Sequence, residues 1–173
     1  KLRALGIRKP ILVLGPTLPH LVREAAADGI TLTVSSLTAL LALAKAKVAV
    51  DFHLKVDTGM HRQGFYPGEL PKAIKVIRNP KSAIRNSLKG VYTHFAAAKD
   101  ITYPDYTLRQ LRVFREAVGK LRRAGFTRLL RHAAATGGAT LYPAAHFDAV
   151  RIGIGLYGYW PTREAELQHP LVW

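Results

Sequence analysis

An α/β fold with a parallel sheet is what this sequence predicts, and three observations carry the prediction. Short apolar runs alternate with amphipathic segments along the length. Several of those segments open on Ser, Thr or Pro and close on Gly or Asn, the residues that start and stop helices. The residues able to do chemistry fall at or just beyond the C-terminal ends of the apolar runs. An open doubly wound sheet would gather such residues at one switch point, whereas a barrel spreads them over successive strand ends along one rim. A closed eight-stranded barrel takes about 250 residues. A chain of 173 residues with six apolar runs therefore predicts a partial (β/α)8 barrel of the TIM type, with about six parallel strands.

Strands are expected at ILVLG (11–15), ITLTV (30–34), VAVDFHLKV (48–56), GVYTHF (90–95), LLRHAAA (129–135) and AVRIGIGLYG (149–158). Helices are expected between them at 18–29, 36–47, 67–79, 107–125 and, shorter, at 137–145. Repetition of strand, helix and strand implies right-handed crossovers between parallel neighbours. In the fourth helix Leu108, Leu111, Phe114, Val118 and Leu121 keep helical spacing. Arg109, Arg112, Arg115, Lys120, Arg122 and Arg123 sit beside them and read as a solvated basic face.

Composition narrows the partners. With 49% hydrophobic residues the chain can bury a sizeable core and is not a disordered polymer. It has no cysteine, hence no disulfide, thiolate nucleophile or zinc-thiolate site, which fits a reducing compartment such as the cytoplasm. The opening KLRALGIRKPILVLG lacks the apolar core of a secretion signal, and no run reaches the roughly 18 residues of a membrane span. A formal net charge of +15 favours phosphorylated ligands, nucleic acid or anionic surfaces. The basic residues do not gather with aromatic residues on one surface, so nucleic acid is not the expected partner.

The stretch FHLKVDTGMHRQGF, residues 52–65, is the most informative. Phe52, Leu54 and Val56 alternate with His53, Lys55 and Asp57, so a period of two puts the apolar set on one face and the ionisable set on the other. One face packs; the other is expected to be solvated, paired or functional. His94, His132 with Thr136, and Arg151 occupy equivalent positions on the later strands. In the last strand Val150, Ile152 and Ile154 are expected to face helices while Arg151 and Gly153 face inward, and the glycines there let an anion approach the backbone.

Four motifs in order, LKVDTGMHRQGF, THFAAAKD, RHAAATGG and VRIGIGLYG, resemble the pyridoxal-phosphate barrel of alanine racemases. The resemblance runs from the first strand to about Trp160 and implies barrel residues 1–160, followed by the start of a connection (161–173) to a C-terminal β domain. It also implies that the first two barrel strands, the first bearing the lysine that holds the cofactor, are absent, as is the β domain that brings a tyrosine base across a homodimer interface. This chain alone is then expected to be inactive, and the parent protein to interconvert L- and D-alanine, supplying D-alanine for peptidoglycan.

The resemblance assigns residues one by one. Lys55 matches a lysine carried as a carbamate, an anion that holds a neighbouring arginine; snorkelling to solvent or pairing with Asp57 is the alternative. Arg62 matches the arginine near the cofactor's phenolic oxygen and the substrate carboxylate, a task suited to a guanidinium fork. Arg151 matches the arginine facing the pyridine nitrogen, with His94 and His132 in the hydrogen-bonded line behind the tyrosine. Thr136 with the backbone N–H groups of Gly153 and Ile154 matches the phosphate site. Ala135 stands where the family commonly has asparagine, and Ile152 where it has proline, which bears on cofactor affinity more than on fold. Other readings are a broader amino-acid racemase or pyridoxal-phosphate carrier on the same barrel, a sugar-phosphate barrel enzyme, and a non-catalytic racemase-like domain fused to a cell-wall ligase.

Overall fold

Six strands form where apolar, β-branched runs meet turn residues: β1 (Ile11–Leu12), β2 (Ile30–Val34), β3 (Phe52–Lys55), β4 (Leu88–Tyr92), β5 (Leu130–Ala135) and β6 (Ala149–Arg151). The computed structural model describes residues 1–168. All neighbours pair in parallel and in chain order, β1 to β6. A doubly wound sheet reverses its strand order at a switch point; this sheet never does, and it forms a curled half-barrel wall.

Helices return the chain between strands. They are α1 (Val22–Ala27), α2 (Leu37–Lys45), α3 (Leu70–Ile77), α4 (Pro104–Arg123), α5 (Thr136–Leu141) and α6 (Arg163–Gln168). The Ser36 hydroxyl caps α2 by accepting the Ala39 N–H at 3.2 Å. Pro104 opens α4 three residues earlier than the apolar spacing predicts, because a proline costs nothing in the first helical turn. Along α4 Thr107, Gln110, Leu111, Phe114, Ala117 and Leu121 form the buried stripe. None of the helices among the described residues is long and apolar enough to cross a membrane. The expected connecting segment, 161–173, is described as far as α6; residues 169–173 lie outside the described residues.

Strand register sorts side chains into two faces. Leu32, Val34, Phe52, Leu54, Val56 and Val91 join Leu40, Leu43, Leu70, Ala73, Ile77, Leu111, Phe114 and Leu121 in one core between sheet and helices. On the inner face Thr33 lies opposite His53, and Lys55, Tyr92 and His132 form one row across three strands. The ionisable face of β3 is not the solvated one that alternation alone allows: His53, Lys55 and Asp57 are only 7%, 4% and 5% exposed. A barrel wall buries both its surfaces, one under helices and one in the interior.

The last strand departs from expectation. It stops at Arg151, Gly153 leaves the extended region (φ −106°, ψ −97°), and Ile154–Tyr157 wind into a 3-10 turn. Val150, Ile152 and Ile154 are exposed rather than packed under a helix.

Candidate active site

The loop after β3 is built around one carboxylate. Asp57 Oδ1 accepts the N–H groups of Gly59, Met60 and His61 at 2.9, 2.9 and 3.1 Å. The loop closes on itself as Phe65 N–H donates to the Lys55 carbonyl and Asp57 N–H to the Phe65 carbonyl, at 2.8 and 2.9 Å. Asp57 is thus occupied by backbone donors and is not a salt-bridge partner of Lys55. Arg62 stands exposed on this loop at the mouth of the cavity. From outside, α4 fastens the loop: Tyr106 Oη donates to the Gly59 carbonyl, and buried Gln110 accepts the Ala96 N–H at 2.9 Å and donates to Thr58 Oγ1 at 3.3 Å. Thr58 and Thr93 hydroxyls meet at 2.8 Å, tying the loop after β3 to the end of β4.

Arg151, from the end of β6, reaches into the half-barrel. Its guanidinium donates to the carbonyls of Thr93 and Ala133 at 2.8 and 2.7 Å, to His132 Nδ1 at 2.6 Å and more weakly to His94 Nδ1 at 3.3 Å. Burial lowers its pKa to about 10, leaving it charged at neutral pH. Burial, then the Arg151 charge, pushes His94 to about 4 and His132 to about 3, so both rings are neutral. The Tyr92 ring stacks on His132 with centroids 4.6 Å apart, and the Lys55 ammonium and Arg151 guanidinium lie 5.6 and 5.1 Å from its centroid. Tyr92 Oη donates to the Leu14 carbonyl at 3.3 Å and meets Thr33 Oγ1 at 3.1 Å.

At the other side of the cavity Thr136 Oγ1 accepts two backbone N–H groups, from Gly153 at 3.1 Å and Gly155 at 3.3 Å. These elements enclose a cavity of about 520 Å³ at the C-terminal ends of the strands. Lys55, Arg62, Lys99 and Arg151 line it, and among its described lining residues there is no Asp or Glu. Burial first, then the charges of Arg62 and Arg151, lower the Lys55 pKa to about 8 against a weaker pull from Asp57. The arrangement can bind an anion, hold a planar group against fixed donors, and keep a lysine partly neutral near physiological pH.

The cavity brings together Lys55, Arg62, His94, Thr136, Arg151, Gly153 and Ile154, with His132 directly beneath Arg151. The second amide on the Thr136 hydroxyl is that of Gly155, while Ile154 contributes to the wall. Sequence reasoning passed over Tyr92, Gly155 and the role of His53. Their signal was present: Gly90, Tyr92 and His94 share the period-two face of β4, as His53 shares that of Lys55.

Comparison with known proteins bears on the family and the fold. Residues 1–161 match the family model described as alanine racemase, N-terminal domain. The chain is 37% identical to the alanine racemase of Carboxydothermus hydrogenoformans, covering 98% of this chain and 46% of that protein. It is 38% identical to alanine racemase 1 of Bacillus subtilis, covering 98% and 42%. It superposes on the crystal structure of Bacillus anthracis alanine racemase with bound L-Ala-P at a TM-score of 0.87, with 32% identity, covering 98% of this chain and 44% of that one. The chain therefore spans less than half the length of the curated relatives it matches. With the fold and the family model in agreement, the chain belongs to the alanine racemase N-terminal domain family.

Proposed function

We propose that the protein carrying this chain is a pyridoxal-phosphate-dependent alanine racemase, acting on alanine as a cytoplasmic homodimer to supply D-alanine for peptidoglycan. The observation that carries the reading is Arg151: a half-buried guanidinium at the base of a cavity lined by cations, held by two carbonyls and two histidine nitrogens, with no carboxylate among the described ion pairs to neutralise it. A structural arginine at a barrel end pairs with a carboxylate; this one presents its charge to a ligand.

The residues present fit the cofactor. Thr136 with the Gly153 and Ile154 amides would hold its phosphate, Arg151 would donate to its ring nitrogen, and Arg62 would face its phenolic oxygen and the substrate carboxylate. When bound, pyridoxal phosphate supplies the electron-withdrawing ring that acidifies an amino acid's Cα–H. Arg151, which keeps its own protons, would offer one as a hydrogen bond and would not transfer it to the ring nitrogen. His94 and His132, both neutral, hold Arg151 without competing for charge. Lys55, with a pKa near 8, has the neutral fraction that carbamate formation needs, and its carbamate would hold Arg62. Ala135 brings no amide to the phosphate, so more of that task falls on Thr136. Residues 1–160 would be barrel, with 161–173 beginning the connection to a β domain; the family model ending at 161 supports that boundary.

The full-length protein, loaded with pyridoxal phosphate, is expected to racemise alanine and to show the cofactor's near-visible absorbance, which borohydride removes. The chain of residues 1–173 alone is expected to show no racemisation. Arg151→Gln in the full-length protein is expected to lower racemisation and to raise the share of transaminated product. A full-length protein that binds the cofactor but does not turn over alanine would overturn the reading.

A further inference from the structure

Behind Arg151 the hydrogen bonds continue past His132. His132 Nε2 lies 2.9 Å from Nδ1 of His53, which is 7% exposed and sits two residues before Lys55 on β3. Directions along this chain follow from what each atom is able to do. A guanidinium has five N–H donors and no acceptor, so His132 Nδ1, 2.6 Å from Arg151 Nη1, must present a lone pair. His132 is then neutral with its proton on Nε2, and that proton goes to His53 Nδ1. His53 Nδ1 must also present a lone pair, which leaves its own proton on Nε2. One tautomer of each ring satisfies the chain; a cationic His53 would set two protons face to face.

The surroundings hold both rings in place. Tyr92 lies nearly parallel to His132, at an interplanar angle of 8°, and is itself tied to Thr33 and Leu14. His53 packs against the backbone of Gly90 so closely that a Cβ there would lie 2.6 Å from its Cε1 and Nδ1. Glycine at position 90 is thus the space in which the His53 ring sits.

We infer that His53 is a positioning residue that fixes the tautomer of His132 and through it aims Arg151 into the cavity. Without an acceptor at His53, His132 is free to place its proton on Nδ1, where it confronts the Arg151 donor and turns the guanidinium away. The functional consequence rests on the reading of Arg151 given above. The tautomers themselves do not, because they follow from contacts within this chain.

The test uses the full-length protein, with and without pyridoxal phosphate, labelled with 15N at the histidine imidazoles. Both His53 and His132 are expected to be neutral and protonated on Nε2; a proton on Nδ1 of either ring overturns the inference. His53→Asn, whose Oδ1 stands where Nδ1 was, is expected to keep the His132 signal. His53→Leu, of similar bulk without an acceptor, is expected to shift it and to raise the transamination share of the loaded enzyme several-fold. An unchanged His132 signal in His53→Leu overturns the positioning role. Should that variant not fold, the wild-type spectrum and His53→Asn still decide. A protein with the expected tautomers and no racemase activity would fail the functional proposal and leave this inference standing.

Discussion

Replacing Gly64 with alanine tests whether the Arg62 loop is held by backbone geometry. Gly64 has φ +134°, a conformation that residues with a Cβ rarely adopt, and an added Cβ would lie 2.6 Å from Asp57 N, 2.9 Å from Val56 C and 3.1 Å from Asp57 Cα. All three are backbone atoms, in the segment where Asp57 N–H bonds the Phe65 carbonyl, so no side chain is able to swing aside. Backbone strain of this kind costs about 1–3 kcal/mol and overpacking about 1–3 kcal/mol. Gly64→Ala is therefore expected to lose about 2–6 kcal/mol. The control is Gly68→Ala, four positions on, where a Cβ meets nothing within 4 Å. There a gain of about 0.4–1 kcal/mol is expected from a less flexible unfolded chain. Urea unfolding of the two full-length variants side by side measures the difference. Midpoints that agree would refute the argument, because they would mean the loop rebuilds itself around the methyl group.

Asp57→Ala removes the acceptor of three N–H groups and is expected to cost about 1–3 kcal/mol in urea unfolding, while Asp57→Asn, which keeps an Oδ1, is expected to lose much less. Thr136→Val leaves two N–H groups without their acceptor and takes a hydroxyl from the proposed phosphate site; titration of the full-length protein is expected to show cofactor affinity falling about 10- to 100-fold, with Thr136→Ser near wild type. Phe114→Ala opens a cavity at a fully buried position of the α4 stripe and is expected to cost about 3–5 kcal/mol. The histidines set an acid limit. His53 and His94 have pKa values of about 4 and His132 of about 3, against 6.5 unfolded, so between those values the unfolded chain takes up protons that the folded one refuses. Stability is then full above pH 6.5 and declines as pH falls toward 4, which Tm against pH reads directly; a flat profile from 6.5 to 4.5 would contradict it.

What was legible in the sequence was periodicity and the order of strand ends. Short apolar runs mark all six strands, and the scatter of Lys55, His94, His132 and Arg151 over different strand ends points to a barrel. Less legible was anything that depends on a neighbouring strand. Alternation split β3 into two faces, yet it takes the pairing of Lys55 with Tyr92 and of Tyr92 with His132 to make the ionisable face a buried one. The end of β6 differs for a related reason: Val150, Ile152 and Ile154 alternate as a strand would, but Gly153 turns the backbone aside, and its N–H and that of Gly155 bond the Thr136 hydroxyl from another element. In a linear reading Tyr92 is one apolar strand residue among many, and His53 one more member of the ionisable face of β3. They acquire meaning through contacts across 40 and 79 positions of sequence, Tyr92 with His132 and His53 with His132.

The charge of the chain resolves in the same way. A net +15 is a poor guide to partners, since a long basic helix face raises it as readily as a binding site does. The structure separates the two contributions. Arg109, Arg112, Arg115, Arg122 and Arg123 are exposed on α4, in water that screens them, and ask for no ligand. Lys55 and Arg151 instead share an interior with Arg62 and Lys99 at its mouth and no acidic residue among its described lining, and burial first, then the fields of Arg62 and Arg151, depress the Lys55 pKa. Cations brought this close without a counter-ion destabilise the empty site, and an anionic ligand relieves that repulsion on entering. A phosphate at the Thr136 end, a substrate carboxylate at Arg62 and a carbamate on Lys55 would each offset part of it. Binding of inorganic phosphate to the cofactor-free, full-length protein, kept free of carbon dioxide and bicarbonate so that Lys55 stays an amine, should accordingly weaken as Lys55 loses its proton above about pH 8. In Lys55→Gln that part of the pH dependence should vanish. Phosphate affinity that ignores both pH and the substitution would place the anion outside this cavity.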